Sequence, residues 1–109
     1  MKIQFLESSA PGIRWMRRYF REQSQLNTKA ASESFKKTRN MLKQDPYIGH
    51  VFDEIDGVFE KEIRGTHFSI LYAVKSETVY IIDIRDHRGL RSSNALRQYS
   101  LHLKKKYDL

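Results

Sequence analysis

The sequence predicts an α+β fold of order β-α-α-β-β-β-α, a helical hairpin packed on one face of a small antiparallel sheet. Three observations predict it. Three strand-like runs follow one another, Val58–Arg64, His67–Val74 and Thr78–Arg85, joined by Gly65-Thr66 and Lys75-Ser76-Glu77. Connectors that short make hairpins, and the β-branched and aromatic content suits a half-buried pleated surface. Two helical periodicities precede these runs and one follows them. Helices grouped apart from a run of strands are the mark of an α+β domain.

At the start, Lys2-Ile3-Gln4-Phe5-Leu6 alternates as a short strand. Ser8-Ser9-Ala10-Pro11 reads as a helix start, with serine as the cap and proline in the first turn. Ile13, Met16 and Phe20 form its apolar stripe, widened by Trp15 and Tyr19. That spacing is the spacing of a buried helix face rather than of a base-stacking platform. Residues 23–27 are a polar break, and Asn27 or Thr28 can cap a second helix over 28–44. Its stripe is Ala31, Phe35, Thr38 and Leu42, with Met41 beside it. Asp45-Pro46 ends it, because the residue before proline is pushed out of the helical region. Asp53, Glu54 and Asp56 lack metal-ligand spacing and read as loop acids.

Within the sheet, strict alternation places Phe68, Ile70, Tyr72 and Val74 on one face, and His67, Ser69, Leu71 and Ala73 on the other. On the last strand it sets Tyr80, Ile82 and Ile84 against Val79, Ile81, Asp83 and Arg85. The face with the smaller and polar residues is expected to be the solvent or functional side. Ser92-Ser93 can cap a final basic helix, within 91–109, that runs to about Lys106 on Ala95, Leu96, Tyr99 and Leu103.

The chain has 109 residues, which is consistent with one domain over 1–109. It has no cysteine, so disulfide frameworks and thiolate metal sites are excluded, and no metal or cofactor is expected. No apolar run approaches a membrane span and no signal-peptide layout opens the chain, so a cytoplasmic location and no membrane partner are expected. The net charge of +7 is unevenly spread: residues 14–45 carry +6, 85–109 carry +5, and 46–84 carry −4. A field of that shape favours acidic partners, either nucleic acid or an acidic protein segment.

The third strand ends in Arg85-Asp86-His87-Arg88, the candidate functional cluster. Plainer roles exist for each member. His87 can be a surface histidine in a turn, and Asp86 can cap that turn. Arg85 and Arg88 can pair with Asp83 and Asp86. Tyr72 can be a core aromatic with its hydroxyl satisfied.

Taken together, residues 63–74 (IRGTHFSILYAV) and 79–88 (VYIIDIRDHR) resemble the RelE/ParE superfamily, the toxins of type II toxin–antitoxin systems. The family pattern is a Phe-x-Ile-x-Tyr strand, a short turn, and an aliphatic strand ending in Asp/His-x-Arg. The resemblance covers nearly the whole chain. It implies a growth inhibitor, of the kind linked to plasmid stabilization, neutralised by a cognate antitoxin encoded alongside it. RelE-like members cleave ribosome-bound mRNA; ParE-like members inhibit DNA gyrase by protein contact. In the first case the resemblance implies catalysis by Arg85, His87 and Arg88, with Arg64 as a possible assistant. Ser69 stands where the nuclease pattern has an arginine, and a hydroxyl cannot replace a guanidinium as a phosphate clamp. The ParE manner, without enzymatic activity, is therefore the leading expectation, although the C-terminal helix is longer than a ParE-like tail. An mRNA interferase is the alternative. A non-toxic basic nucleic-acid-binding domain is the second alternative, and no recognition-helix motif supports it.

Overall fold

The computed structural model describes residues 1–23, 28–89, 91 and 94–109. Its first strand, β1 (Lys2–Phe5), leads through a single 3₁₀ turn (Glu7–Ser9) into α1 (Ala10–Glu22). Helix α2 (Thr28–Gln44) follows, then the two-residue β2 (His50–Val51), β3 (Phe59–Glu62), β4 (Phe68–Lys75) and β5 (Thr78–Asp86). A final helix, α3, runs over 95–106 with a π-helical stretch at Tyr99–Leu103. The expected order thus stands, with β2 added at the edge. The expected caps at Asn27, Ser92 and Ser93 lie outside the described residues.

The five strands form one sheet in the order β1-β5-β4-β3-β2. Neighbours are antiparallel except β1, which lies parallel to β5 with Lys2 opposite Thr78 and Phe5 opposite Ile81. The β4–β5 hairpin turns on Ser76 and Glu77, both at positive φ (50° and 61°). A two-residue turn of that hand matches the twist of the strands it joins.

Helices α1 and α2 cover one face of the sheet. Met16, Phe20 and Leu42 pack there on Ile63, Phe68, Ile70, Tyr72, Val79, Ile81 and Ile84. Trp15, Tyr19, Ala31 and Phe35 lie around the margin, so both helix stripes face the core as their periodicity predicts. The other face, expected to be the solvent or functional side, is closed to solvent by a second core. Leu71, Ala73 and Ile82 are buried there beneath Leu6, Phe52, Val58, Tyr99 and Leu103. Small side chains on that face let α3 sit close rather than leaving it wet.

The alternation expected on β5 holds only in its first half. Tyr72 pairs with Ile81 but Leu71 pairs with Asp83, so β5 carries one extra residue, a β-bulge. Val79 and Ile81 face the helical hairpin, Ile82 faces α3, and Ile84 returns to the hairpin side. Every residue after the bulge therefore points to the face opposite the one that strict alternation assigns.

The two serines before α1 do not cap it, contrary to expectation. Both are buried, and their hydroxyls donate to carbonyls that α1 does not own: Ser8 Oγ to Ile82 O at 2.6 Å, Ser9 Oγ to Leu6 O at 2.7 Å. A buried hydroxyl needs an acceptor, and these carbonyls lie within its reach, so neither side chain is left for the cap. Tyr72, fully buried, is a core aromatic whose hydroxyl donates to Pro46 O at 2.7 Å and accepts from Gly49 N at 3.2 Å.

Gly12 lets α1 rest directly on β5. A Cβ there would lie 3.0 Å from Ile84 N and 3.1 Å from Ile84 O, and it would also meet the Asp83 carboxylate. Backbone atoms in a central strand cannot yield as a flexible side chain can. Gly12→Ala should lower stability by about 1–3 kcal/mol, the usual range for overpacking, despite alanine's better helix propensity. Urea denaturation should show a lower midpoint with an unchanged slope.

Candidate functional site

The site grows from one residue that the sequence did not single out. Glu60, in the middle of β3, is 5% exposed. Burying a carboxylate costs several kcal/mol unless charges and hydrogen bonds compensate. Sheet register gathers those partners from three neighbouring strands, β2, β4 and β5. His50 lies directly opposite Glu60 across the β2–β3 ladder, and Ser69 lies directly opposite Arg85 across β4–β5. The bulge has turned Arg85 toward Ser69 and Glu60. Arg85 Nη1 donates to Glu60 Oε2 at 2.9 Å and to Oε1 at 3.2 Å. The Ser69 hydroxyl donates to Glu60 Oε2. His87 Nε2 lies 2.9 Å from Ser69 Oγ and 3.4 Å from Glu60 Oε2, and His50 Nε2 lies 3.3 Å from Glu60 Oε1.

The carboxylate and the serine are buried, but the groups around them reach solvent. The side chains of Arg85, His87 and His50 are 47%, 33% and 64% exposed. The arginine also lies over the Phe52 ring, its Cζ 5.8 Å from the centroid, which walls one side of the cluster. An anion approaching from solvent thus meets a guanidinium and two imidazoles held by one buried negative charge. Among the described residues no group of three or more His, Cys, Asp or Glu is placed to hold a metal ion.

The structure brings Arg85 and His87 together and sets Arg88 apart. Arg88 lies on the helical-hairpin face and is committed to Asp86: Nε donates to Oδ1 at 3.0 Å, Nη2 to Oδ2 at 2.8 Å. Its Cζ stacks 4.0 Å above the Tyr19 ring, and Trp15 Nε1 donates to Asp86 Oδ2 at 2.9 Å. These contacts brace α1 against the end of β5. Arg64 sits in the β3–β4 turn, where its carbonyl accepts from Ser34 Oγ of α2 at 2.6 Å. The expected Arg88–Asp86 pair forms; the expected Arg85–Asp83 pair does not. Asp83 is held by Arg91 Nη1 at 3.1 Å, while the bulge carries Arg85 to Glu60. Glu60 and His50 escaped the sequence reading because Glu60 is one of three polar residues in its strand and β2 is only two residues long.

A second feature lies on the helical hairpin. A groove of about 790 Å³ runs between α1 and α2 over Trp15, Phe20 and Phe35. Arg14, Arg17, Arg18, Arg21, Lys36 and Arg39 line it.

No protein-family model matches the chain, and no curated protein matches it. Solved structures do. A chain of the chromosomal ParDE TA system from P. aeruginosa is similar with a TM-score of 0.63 and 18% identity, over 79% of this chain and 95% of that one. The isolated E. coli RelE toxin is similar with a TM-score of 0.53 and 16% identity, over 96% of this chain and 97% of that one. The chain has the RelE/ParE toxin fold. The ParDE match leaves about a fifth of this chain uncovered, whereas the RelE match spans nearly all of it.

Two carboxylates of opposite faces are kept ionised by their surroundings. For Glu60, burial pushes the pKa up, but the Ser69 and Arg85 hydrogen bonds outweigh it and the net shift is downward. For Asp86, burial again pushes up, and the bonds from Arg88 and Trp15 win by more, holding the carboxyl at about 2 against an ordinary 3.8. A carboxyl depressed in the folded state adds stability that is fully present above its unfolded pKa and is lost as pH falls through its folded one. The Asp86 share is therefore present above about pH 4 and disappears between about pH 4 and about pH 2. Asp86→Asn should lower stability at neutral pH and flatten that part of the acid limb in thermal melts recorded against pH.

Proposed function

We propose that this chain is the toxin of a type II toxin–antitoxin pair, and that it cleaves RNA through the cluster around Glu60. The toxin class is inferred from the fold shared with the ParDE and RelE structures. The mechanism is inferred from one observation, the gathering of a part-exposed arginine and two part-exposed histidines on a buried carboxylate. Metal-independent RNA cleavage needs such a set. A base takes the 2′-hydroxyl proton, and the 2′ oxygen attacks the adjacent phosphorus. Positive charge stabilises the crowded phosphorane, and an acid protonates the departing 5′ oxygen. The products are a 2′,3′-cyclic phosphate and a free 5′-hydroxyl.

In this reading His87 and His50 exchange the protons. Arg85 steadies the phosphate oxygens while Nη1 stays on Glu60. Glu60 holds the cations in place and keeps the arginine's geometry fixed before substrate arrives. Arg88 and Arg64 have no part in the chemistry. The groove between α1 and α2, apolar at its base and basic at its rim, suits an acidic amphipathic segment of the antitoxin that orders on binding.

A second reading follows from Ser69. The nuclease pattern places an arginine in that slot, and here Arg85 already spends one donor on Glu60. Both facts favour a toxin that acts by protein contact on DNA gyrase, without catalysis.

Inducible expression in a bacterial host, with parallel pulse labelling of protein and DNA synthesis, separates the two. The ribonuclease reading expects translation to stop first, with cleaved mRNA. Double substitution Arg85→Ala/His87→Ala should then reduce cleavage by ~10²–10⁴-fold, the scale of a lost general acid–base group, with antitoxin binding reporting whether the variant still folds. DNA synthesis stopping first, with toxicity surviving the double substitution, would select the contact inhibitor.

A further inference from the structure

Ser69 occupies the centre of the cluster, and its single proton determines how the cluster is wired. The side chain is fully buried between Glu60 and His87. Its hydroxyl has one hydrogen to give and lone pairs to accept with. Glu60, ionised beside the Arg85 guanidinium, can only accept, so the Ser69 hydrogen goes to Glu60 Oε2. That leaves Ser69 Oγ as an acceptor toward His87 Nε2 at 2.9 Å, and the hydrogen in that contact must come from the imidazole. Glu60 Oε2, 3.4 Å from the same nitrogen, favours a proton there as well.

We infer that Ser69 is a positioning residue, which fixes His87 with Nε2 protonated and leaves Nδ1 as the nitrogen that exchanges a proton with substrate. The inference rests on the ribonuclease reading for its use, though not for its geometry. It gives the serine a role that its absence of charge seemed to deny. A long cation in that slot would compete with Arg85 for Glu60. A hydroxyl instead relays the carboxylate's charge to the imidazole and sets its tautomer, as outer-shell acceptors do for histidines elsewhere.

The test is nitrogen NMR on the full-length ¹⁵N-labelled protein at about pH 8.5, some two units above the ordinary imidazole pKa. Long-range proton–nitrogen correlations report which ring nitrogen carries the proton. His87 should appear as a single Nε2–H form in the wild type. In Ser69→Ala only the longer 3.4 Å contact to Glu60 remains on Nε2, so that preference should weaken and the Nδ1–H form should become detectable. Ser69→Cys keeps the shape and weakens both hydrogen bonds, so it should relax too and serves if the alanine variant fails to fold. Ser69→Thr, which retains the hydroxyl, should restore the wild-type pattern. An Nδ1–H form in the wild type overturns the inference, and so does a tautomer indifferent to both the alanine and cysteine substitutions.

Cleavage assays add an independent arm. Loss of the relay should fall on kcat with KM unchanged, and be smaller than the ~10²–10⁴-fold cost of removing a proton-transfer group outright. A tautomer that follows Ser69 in a protein that cleaves no RNA would overturn the function proposed for the cluster and leave the proton placement standing.

Discussion

One extra residue in β5 decides what this sheet can do. A strand's side chains alternate strictly, so a single insertion reverses every position beyond it. Before the bulge, β5 presents Val79 and Ile81 to the helices; after it, Ile84 and Asp86 take that side and Arg85 the other. Without it, Arg85 would enter the apolar core beneath α1 and α2, while Ile84 would face α3. The bulge thus serves packing and chemistry together. It keeps a large aliphatic side chain under the helical hairpin and sends a cation to a buried carboxylate on the other face.

The end of the sheet then holds two acid–arginine pairs back to back, and they differ in character. Asp86 and Arg88 form a two-bonded brace closed over by Tyr19 and Trp15, with little left to offer a ligand. Glu60 instead shares its two oxygens among Arg85, Ser69, His87 and His50. A charge divided among several donors leaves each with capacity to spare. Residues that are close in sequence therefore have unlike roles: Arg85 and His87 reach solvent around a buried anion, and Arg88, next in line, secures a helix.

How much of this was legible follows from what a local pattern can carry. Helical periodicity identified Met16, Phe20 and Leu42 as core, because a stripe is a local property. The hairpin runs gave β3, β4 and β5 for the same reason. The bulge could not be read, since Ile81-Ile82-Asp83-Ile84 contains no glycine or proline to mark it and three aliphatics serve either face. Glu60 was hidden because its partners come from β2, β4 and β5, up to 27 positions away in sequence, and register is a tertiary property. Small residues on the second face suit a solvent-facing side and a closely packed helix equally, and here they admit α3. Ser8 and Ser9 matched a cap by type and were claimed by buried carbonyls.

The parallel pairing of β1 with β5 also bears on how the chain is made. Lys2 and Thr78 are neighbours in the sheet although they lie 76 positions apart in sequence, so β1 has no partner until β5 is available. Its ladder closes a long loop, the kind of contact whose entropic cost slows folding. Until then its backbone groups bond to water and the Ile3 side chain has no core to join. The sheet is therefore complete only once β5 has formed, and its second face only once α3 has closed over it.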